Sequence, residues 1–213
     1  MAHASVSDEL VKQPGFTCFK TFAPIRYPRR WYRTALIDAA LNPKILRMGP
    51  SPLPLSKLPK QAEFSFWVSD SGVSTLIVLS EAGCDITSLS AKVPTISVRR
   101  LDLEAEPTAR LRREIWSHKR VPLPLEVIVV ILHEVALQPR QLTLQDVRSI
   151  FGKKVDDIGP VIDAAITAGY LEVDIRQGWS PSVPVGLGPM ARQLLYPAHR
   201  PINVLVPTGS QYS

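Results

Sequence analysis

The chain has 213 residues, 45% of them hydrophobic, with 25 Lys or Arg against 19 Asp or Glu and a formal net charge of +6. That length can bury one full core or two small ones, and no run approaches the ~20 apolar residues of a membrane span. Two isolated cysteines, Cys18 and Cys84, argue against a disulfide scaffold, and His3, His118, His133 and His199 show no ligand spacing, so no metal or other cofactor is expected.

In chain order, residues 1–15 read as an arm whose opening Met-Ala-His-Ala-Ser-Val-Ser-Asp lacks a leader's apolar core, so a cytoplasmic protein without membrane association is expected. The run 26–33 interleaves Arg26, Arg29, Arg30 and Arg33 with Tyr27, Trp31 and Tyr32, a pattern suited to phosphate contact and stacking. Trp31 either stacks on bases or packs inward. A helix is predicted over 30–41, ended by Asn42-Pro43, then a short strand over 44–48 and a proline-rich extended crossing or edge strand over 50–59. Strands over 62–69 and 73–79 flank Asp70-Ser71-Gly72 as a hairpin, and a further strand covers 94–99. Glu106-Pro107-Thr108 opens a helix over 109–118.

The stretch 124–185 spells three helices and a hairpin in the order of a winged helix. Leu125, Ile128, Ile131, Leu132 and Val135 recur at helical spacing behind Pro124 at a first helical position, and Gln138-Pro139 stops that helix. Thr143 stands as an N-cap with Asp146 three residues on, and Gly152 is expected to close the second helix in a left-handed cap. Asp156 or Asp157 caps the third helix, which Gly169 ends. A strand over 170–175 turns at Gln177-Gly178 into Trp179-Ser180-Pro181 as the returning edge of a wing. Residues 197–213 read as a tail. The resulting division is 16–120 and 121–196, between the two arms.

Charge is polarised along the chain. Residues 1–60 hold ten basic against three acidic side chains and 99–120 hold seven against four, whereas 121–185 holds five against eight. Candidate phosphate contacts are therefore Arg26, Arg29, Arg30, Arg33, Arg99, Arg100, Arg110, Arg112 and Arg113, with Lys153, Lys154 and Arg176 beside the third helix and wing. The third helix carries Asp156, Asp157 and Asp163 and no cation, which makes it a poor reader of the major groove and a candidate surface for a protein partner or self-association.

The order of elements, with the Arg-rich helix ending Ile115-Trp116-Ser-His-Lys-Arg120, the closing Ala168-Gly169-Tyr-Leu-Glu-Val-Asp174 and Ser180-Pro-Ser-Val-Pro184, resembles the TnsA-type endonuclease subunits of heteromeric transposases. The resemblance covers most of the chain and is more specific in its second half. It implies an α+β fold, a restriction-endonuclease-like mixed sheet with flanking helices followed by a C-terminal winged helix. In such nucleases a helix Glu, a strand Asp and a Glu-x-Lys hold Mg²⁺ and activate water. The strand acid falls on Glu63 and the helix acid near Asp38, but the Glu-x-Lys falls on Val78-Leu79-Ser80, which supplies neither carboxylate nor ammonium. The expected function is that of a catalytically inactive, DNA-binding adaptor in transposition, recombination or control of a mobile element. A transcriptional regulator reading an operator as a dimer is the alternative. An active endonuclease would need Mg²⁺ on a rearranged set such as Asp38, Glu63, Asp70 and Glu81.

Overall fold

The computed structural model describes residues 15–105, 107–137, 141–152 and 157–196. The architecture is α+β. β1 (Gly15–Phe16) pairs with β2 (Ile25–Arg26), and α1 (Arg30–Leu41) follows with the boundaries its pattern predicts. α1 ends because Asn42 leaves the helical region and Pro43 cannot continue it. The next turn is built by Asn42, whose Oδ1 accepts from Lys44 N–H at 3.0 Å and whose carbonyl accepts from Ile45 N–H at 3.1 Å. That turn consumes 43–45, so β3 starts later than the predicted strand, at Arg47–Pro50. The proline-rich run adds no strand after Pro50 and instead holds one 3-10 turn, Leu55–Lys57, between extended Pro54 and Leu58.

β4 (Phe64–Asp70) and β5 (Val73–Ser80) form the predicted hairpin, with β3 antiparallel on the outside of β4. A short α2 (Thr87–Ser90) carries the chain over, so that β6 (Thr95–Arg99) lies parallel to β5 and completes a mixed sheet in the order β3-β4-β5-β6. Alternation divides its faces: Met48, Phe66, Val68 and Leu79 pack toward α1, while Leu76 and Val78 join Leu58 and Ala62 in a smaller cluster on the other side. α3 (Arg100–Ala105), which the composition does not announce, runs directly from β6, and α4 (Ala109–Ser117) then packs along α1.

In the second half, α5 (Leu125–Val130) continues through a π-turn, Ile131–Val135, with Pro124 extended before the helix and not inside it. β7 (Leu142–Thr143) leads into α6 (Leu144–Phe151), which opens with the predicted reciprocal box: Asp146 N–H donates to Thr143 Oγ1 and Thr143 N–H to Asp146 Oδ2. Gly152 closes α6 at φ −59°, so the expected left-handed cap is not formed. α7 (Ile158–Thr167) is followed by β8 (Leu171–Val173), shorter than predicted because Ile175–Gln177 turns into a 3-10 helix. The returning strand is not 179–181 but β9 (Pro184–Leu187). Pro181 has no N–H to donate, and Val183 N–H closes a turn on Ser180 O, which defers the strand to a point where Pro184 stands first. β9 pairs antiparallel with both β7 and β8, and α8 (Pro189–Leu195) follows.

A continuous core crosses the predicted boundary near residue 120, taking in Leu36, Met48 and Phe66 as well as Trp116, Val147, Ile162 and Val185. Within the first half, Phe16 of β1 stacks on Trp116 at 4.9 Å. The segment after β1 fastens the halves, because the Phe19 ring lies on Gly169, where φ is +80° and a Cβ would stand 2.8 Å from Phe19 Cδ2. Glycine at 169 thus serves both the end of α7 and this close approach. No helix among the described residues is long and apolar enough to cross a membrane.

Candidate nucleic-acid interface

The hairpin brings two carboxylates together. Glu63 precedes β4 and donates its N–H to Leu79 O at 2.9 Å, while Glu81 follows β5 and donates its N–H to Glu63 Oε1 at 3.3 Å. Arg29, at the start of α1, is shared between them: its Nη1 donates to Glu63 Oε2 at 2.7 Å and to Glu81 Oε2 at 3.3 Å. Tyr32, one turn further along α1, stacks on Phe64 and donates its hydroxyl to Glu63 Oε2 at 2.8 Å. Burial and this bond to Glu63 hold the Tyr32 phenol above its usual range. Arg100 donates to Glu81 Oε1 and to Glu104 Oε1, both at 2.8 Å. The carboxylates are thus met by guanidinium groups on every charged contact.

The other acids of the rearranged set lie apart from this pair. Asp38 sits two turns along α1 from Tyr32 and pairs with the buried Arg112 of α4. Asp70 ends β4 at the hairpin turn, where Ser71 Oγ donates to it at 2.9 Å. Val78 and Ser80 are fully buried within β5, and Ser80 Oγ has no hydrogen-bond partner. No group of three or more His, Cys, Asp or Glu side chains among the described residues is arranged to hold a metal ion.

The candidate cations separate into two sets. Arg29, Arg99, Arg100, Arg112 and Arg176 are each engaged by carboxylates: Arg99 forks onto Asp102 at 2.8 and 2.9 Å, and Arg176 onto Asp174 at 2.9 and 3.0 Å. Arg26 lies exposed on β2. Arg30, Arg33, Arg110 and Arg113 are exposed on α1 and α4 and form no ion pair with a described residue. Lys153 and Lys154 lie outside the described residues, as does Asp156.

Two further cations join the second set. His118–Arg120 forms a 3-10 turn after α4, and Lys119 Nζ lies over the Trp116 ring, 5.0 Å from its centroid. Partial burial, then repulsion from Arg33 and Arg120, pushes the Lys119 ammonium below its usual range. Asp38 meets Arg112 while Arg33 approaches Lys119, so α1 and α4 run antiparallel and bring the N-terminus of one beside the C-terminal turn of the other. The first turn of α1 holds no acid, so the positive end of its dipole adds to these charges. Lys119 and Arg120 are not among the cations expected from the sequence, although the three consecutive basic side chains His118-Lys119-Arg120 were the available signal.

The acids proposed for partner contact do not form one surface. Asp157 is exposed and precedes α7 without capping it through its side chain. Asp163 is a correction to the expected docking face: it is 8% exposed, turned inward, and paired through Oδ2 with His118 Nδ1 at 2.7 Å. Burial on α7 runs without a break from Val161 to Thr167, so almost the whole circumference of that helix is covered and Asp163 with it. Burial raises the Asp163 carboxyl, and His118 opposes the shift.

Lys20 was not singled out by any motif, yet it is 6% exposed, donates to Asn42 O at 2.6 Å, and is pushed down to about 8 by burial. Comparison with protein-family models and with curated proteins returns no match for this chain.

Proposed function

We propose that this protein is a catalytically inactive, TnsA-like DNA-binding adaptor of transposition, recombination or mobile-element control, combining a restriction-endonuclease-like sheet with a C-terminal winged helix. The observation that carries the reading is the cluster in which Arg33 and Arg120 repel Lys119, with Arg30 one turn before Arg33 on α1, cations that have no carboxylate partner among the described residues. Assembling like charges at a helix N-terminus is unfavourable in the isolated chain, and phosphate oxygens relieve it. Arg110 and Arg113, one turn apart on α4, extend the positive surface. The absence of catalysis is supported by the chemistry of the carboxylate corner. Glu63 and Glu81 already hold Arg29 and Arg100, and the positions that would supply a third ligand and a lysine are the buried Val78 and Ser80.

The test is a salt titration of DNA binding. Each phosphate contact contributes about −0.9 to the slope of log affinity against log salt, so Arg33→Ala with Lys119→Ala is expected to reduce the slope by about 2 for every duplex sequence tried. Unchanged affinity and slope in the double variant would remove the cluster from the interface and the reading with it.

A further inference from the structure

The side of the sheet facing away from α1 bears an aromatic pair that the basic cluster leaves unused. β3 is the edge strand, and the backbone at Lys20 and Thr21 runs beside it: Met48 N–H donates to Lys20 O at 3.1 Å, and Thr21 bridges Met48 in parallel. Alternation sends Met48 toward α1 and sends Arg47 and Gly49 to the opposite face, where Gly49 pairs with Trp67 and Arg47 with Ser69. Because Gly49 has no side chain, the Phe22 ring lies across it and against Trp67, with centroids 5.8 Å apart and planes at 31°. A Cβ at position 49 would run into the edge of the Phe22 ring and stand 2.7 Å from Trp67 Nε1. The floor is therefore fixed by backbone, and yet Phe22 is 66% exposed.

Beyond Trp67, the neighbouring positions of β3–β5 on this face are Arg47, Ser69 and Ser74, polar side chains with no acid among them. The Arg47 side chain makes no hydrogen bond or ion pair with a described residue, and Ser69 pairs across the hairpin with the exposed Ser74 on the same face. Asp70 falls at the opposite alternation and is held by Ser71. An open π-face, one unpaired guanidinium and two hydroxyls match the needs of an unpaired base and its phosphate. An apolar protein surface would cover a single ring and leave Arg47 unmatched. A duplex hides its base faces in the stack.

We infer that Phe22, backed by Trp67 on Gly49, stacks an unpaired nucleobase of single-stranded DNA, with the adjoining phosphate at Arg47. This deepens the DNA-binding reading and rests on it for the choice of ligand. The experiment measures fluorescence anisotropy of labelled oligo(dT), and of a duplex of equal length, with the full chain. Phe22→Ala is expected to weaken oligo(dT) binding by about tenfold while duplex affinity stays within about twofold, and Phe22→Tyr, which keeps a π-face, is expected to retain binding. Phe22 lies at the surface, so its loss opens no core cavity.

Three results overturn the inference: single-strand affinity unchanged in Phe22→Ala, single strand and duplex weakened alike, or displacement of the strand by dTMP at matched nucleotide concentration, which would mark a free-nucleotide site. Loss of binding in Arg33→Ala with Lys119→Ala but not in Phe22→Ala defeats this inference alone. The reverse pattern defeats the basic-cluster reading and leaves the stacking site standing.

Discussion

Glu63 and Glu81, eighteen residues apart in sequence, share one guanidinium nitrogen, Arg29 Nη1, at 2.7 and 3.3 Å. A divalent ion entering between them would have to displace a cation that is already bonded to both. Supercoiled plasmid incubated with the protein and Mg²⁺ or Mn²⁺ is therefore expected to stay uncut, on agarose gels, at high protein concentration. Cleavage that disappears in Glu63→Ala would show that the corner is catalytic. Arg29 is 57% exposed, so removing it is expected to cost no more than about 1 kcal/mol of stability in denaturant titration.

Lys20 links pH to stability. Its folded-state value, about 8, lies below the 10.5 of an exposed lysine, so the unfolded chain holds the proton more tightly. Stability from this group is then lowest below about 8 and rises as pH climbs toward 10.5. Lys20→Met is expected to stabilise the fold at pH 7 by about 1–3 kcal/mol, with the gain shrinking at pH 10. Asn42 O keeps its Ile45 N–H donor in that variant, so no carbonyl is orphaned. Urea unfolding at the two pH values checks this, and a destabilised variant at pH 7 would contradict it.

Asp163 holds His118 across the joint between α4 and α7. Asp163→Ala removes the 2.7 Å partner of a half-buried imidazole and is expected to cost about 1–3 kcal/mol. The raised carboxyl means that the folded state binds this proton more tightly, so the contribution of Asp163 falls as pH rises through its titration. Asp163→Asn should flatten that part of the pH–stability curve, measured by denaturant midpoints from pH 4 to 7. An unaltered curve would place the dependence elsewhere.

Gly169 combines a positive φ with ring contact from Phe19. Gly169→Ala meets both costs and is expected to destabilise by about 2–4 kcal/mol, whereas Gly178→Ala, also at positive φ but with open space around it, should cost about 1–2 kcal/mol. Thermal melts of the two variants side by side separate the steric contribution from the backbone one. Equal losses would mean that Phe19 yields freely.

By itself the sequence determined what short-range chemistry determines. The span of α1, the Thr143–Asp146 box, the β4–β5 hairpin and the end of α7 at Gly169 follow from side chains and turns within a few residues, and they appear where the pattern puts them. The buried Val78 and Ser80 were likewise legible as residues unable to ligate a metal or donate an ammonium. Only the tertiary structure decided which charges are spent. Arg29 finds Glu63 and Glu81, Arg112 finds Asp38, and Asp163 finds His118 across 34 to 74 residues of chain, while Arg33, Lys119 and Arg120 are left facing one another. Composition counts charges without pairing them. Pairing depends on which strand ends and helix faces the core brings within a few ångströms, and Coulomb attraction and desolvation act only at that range.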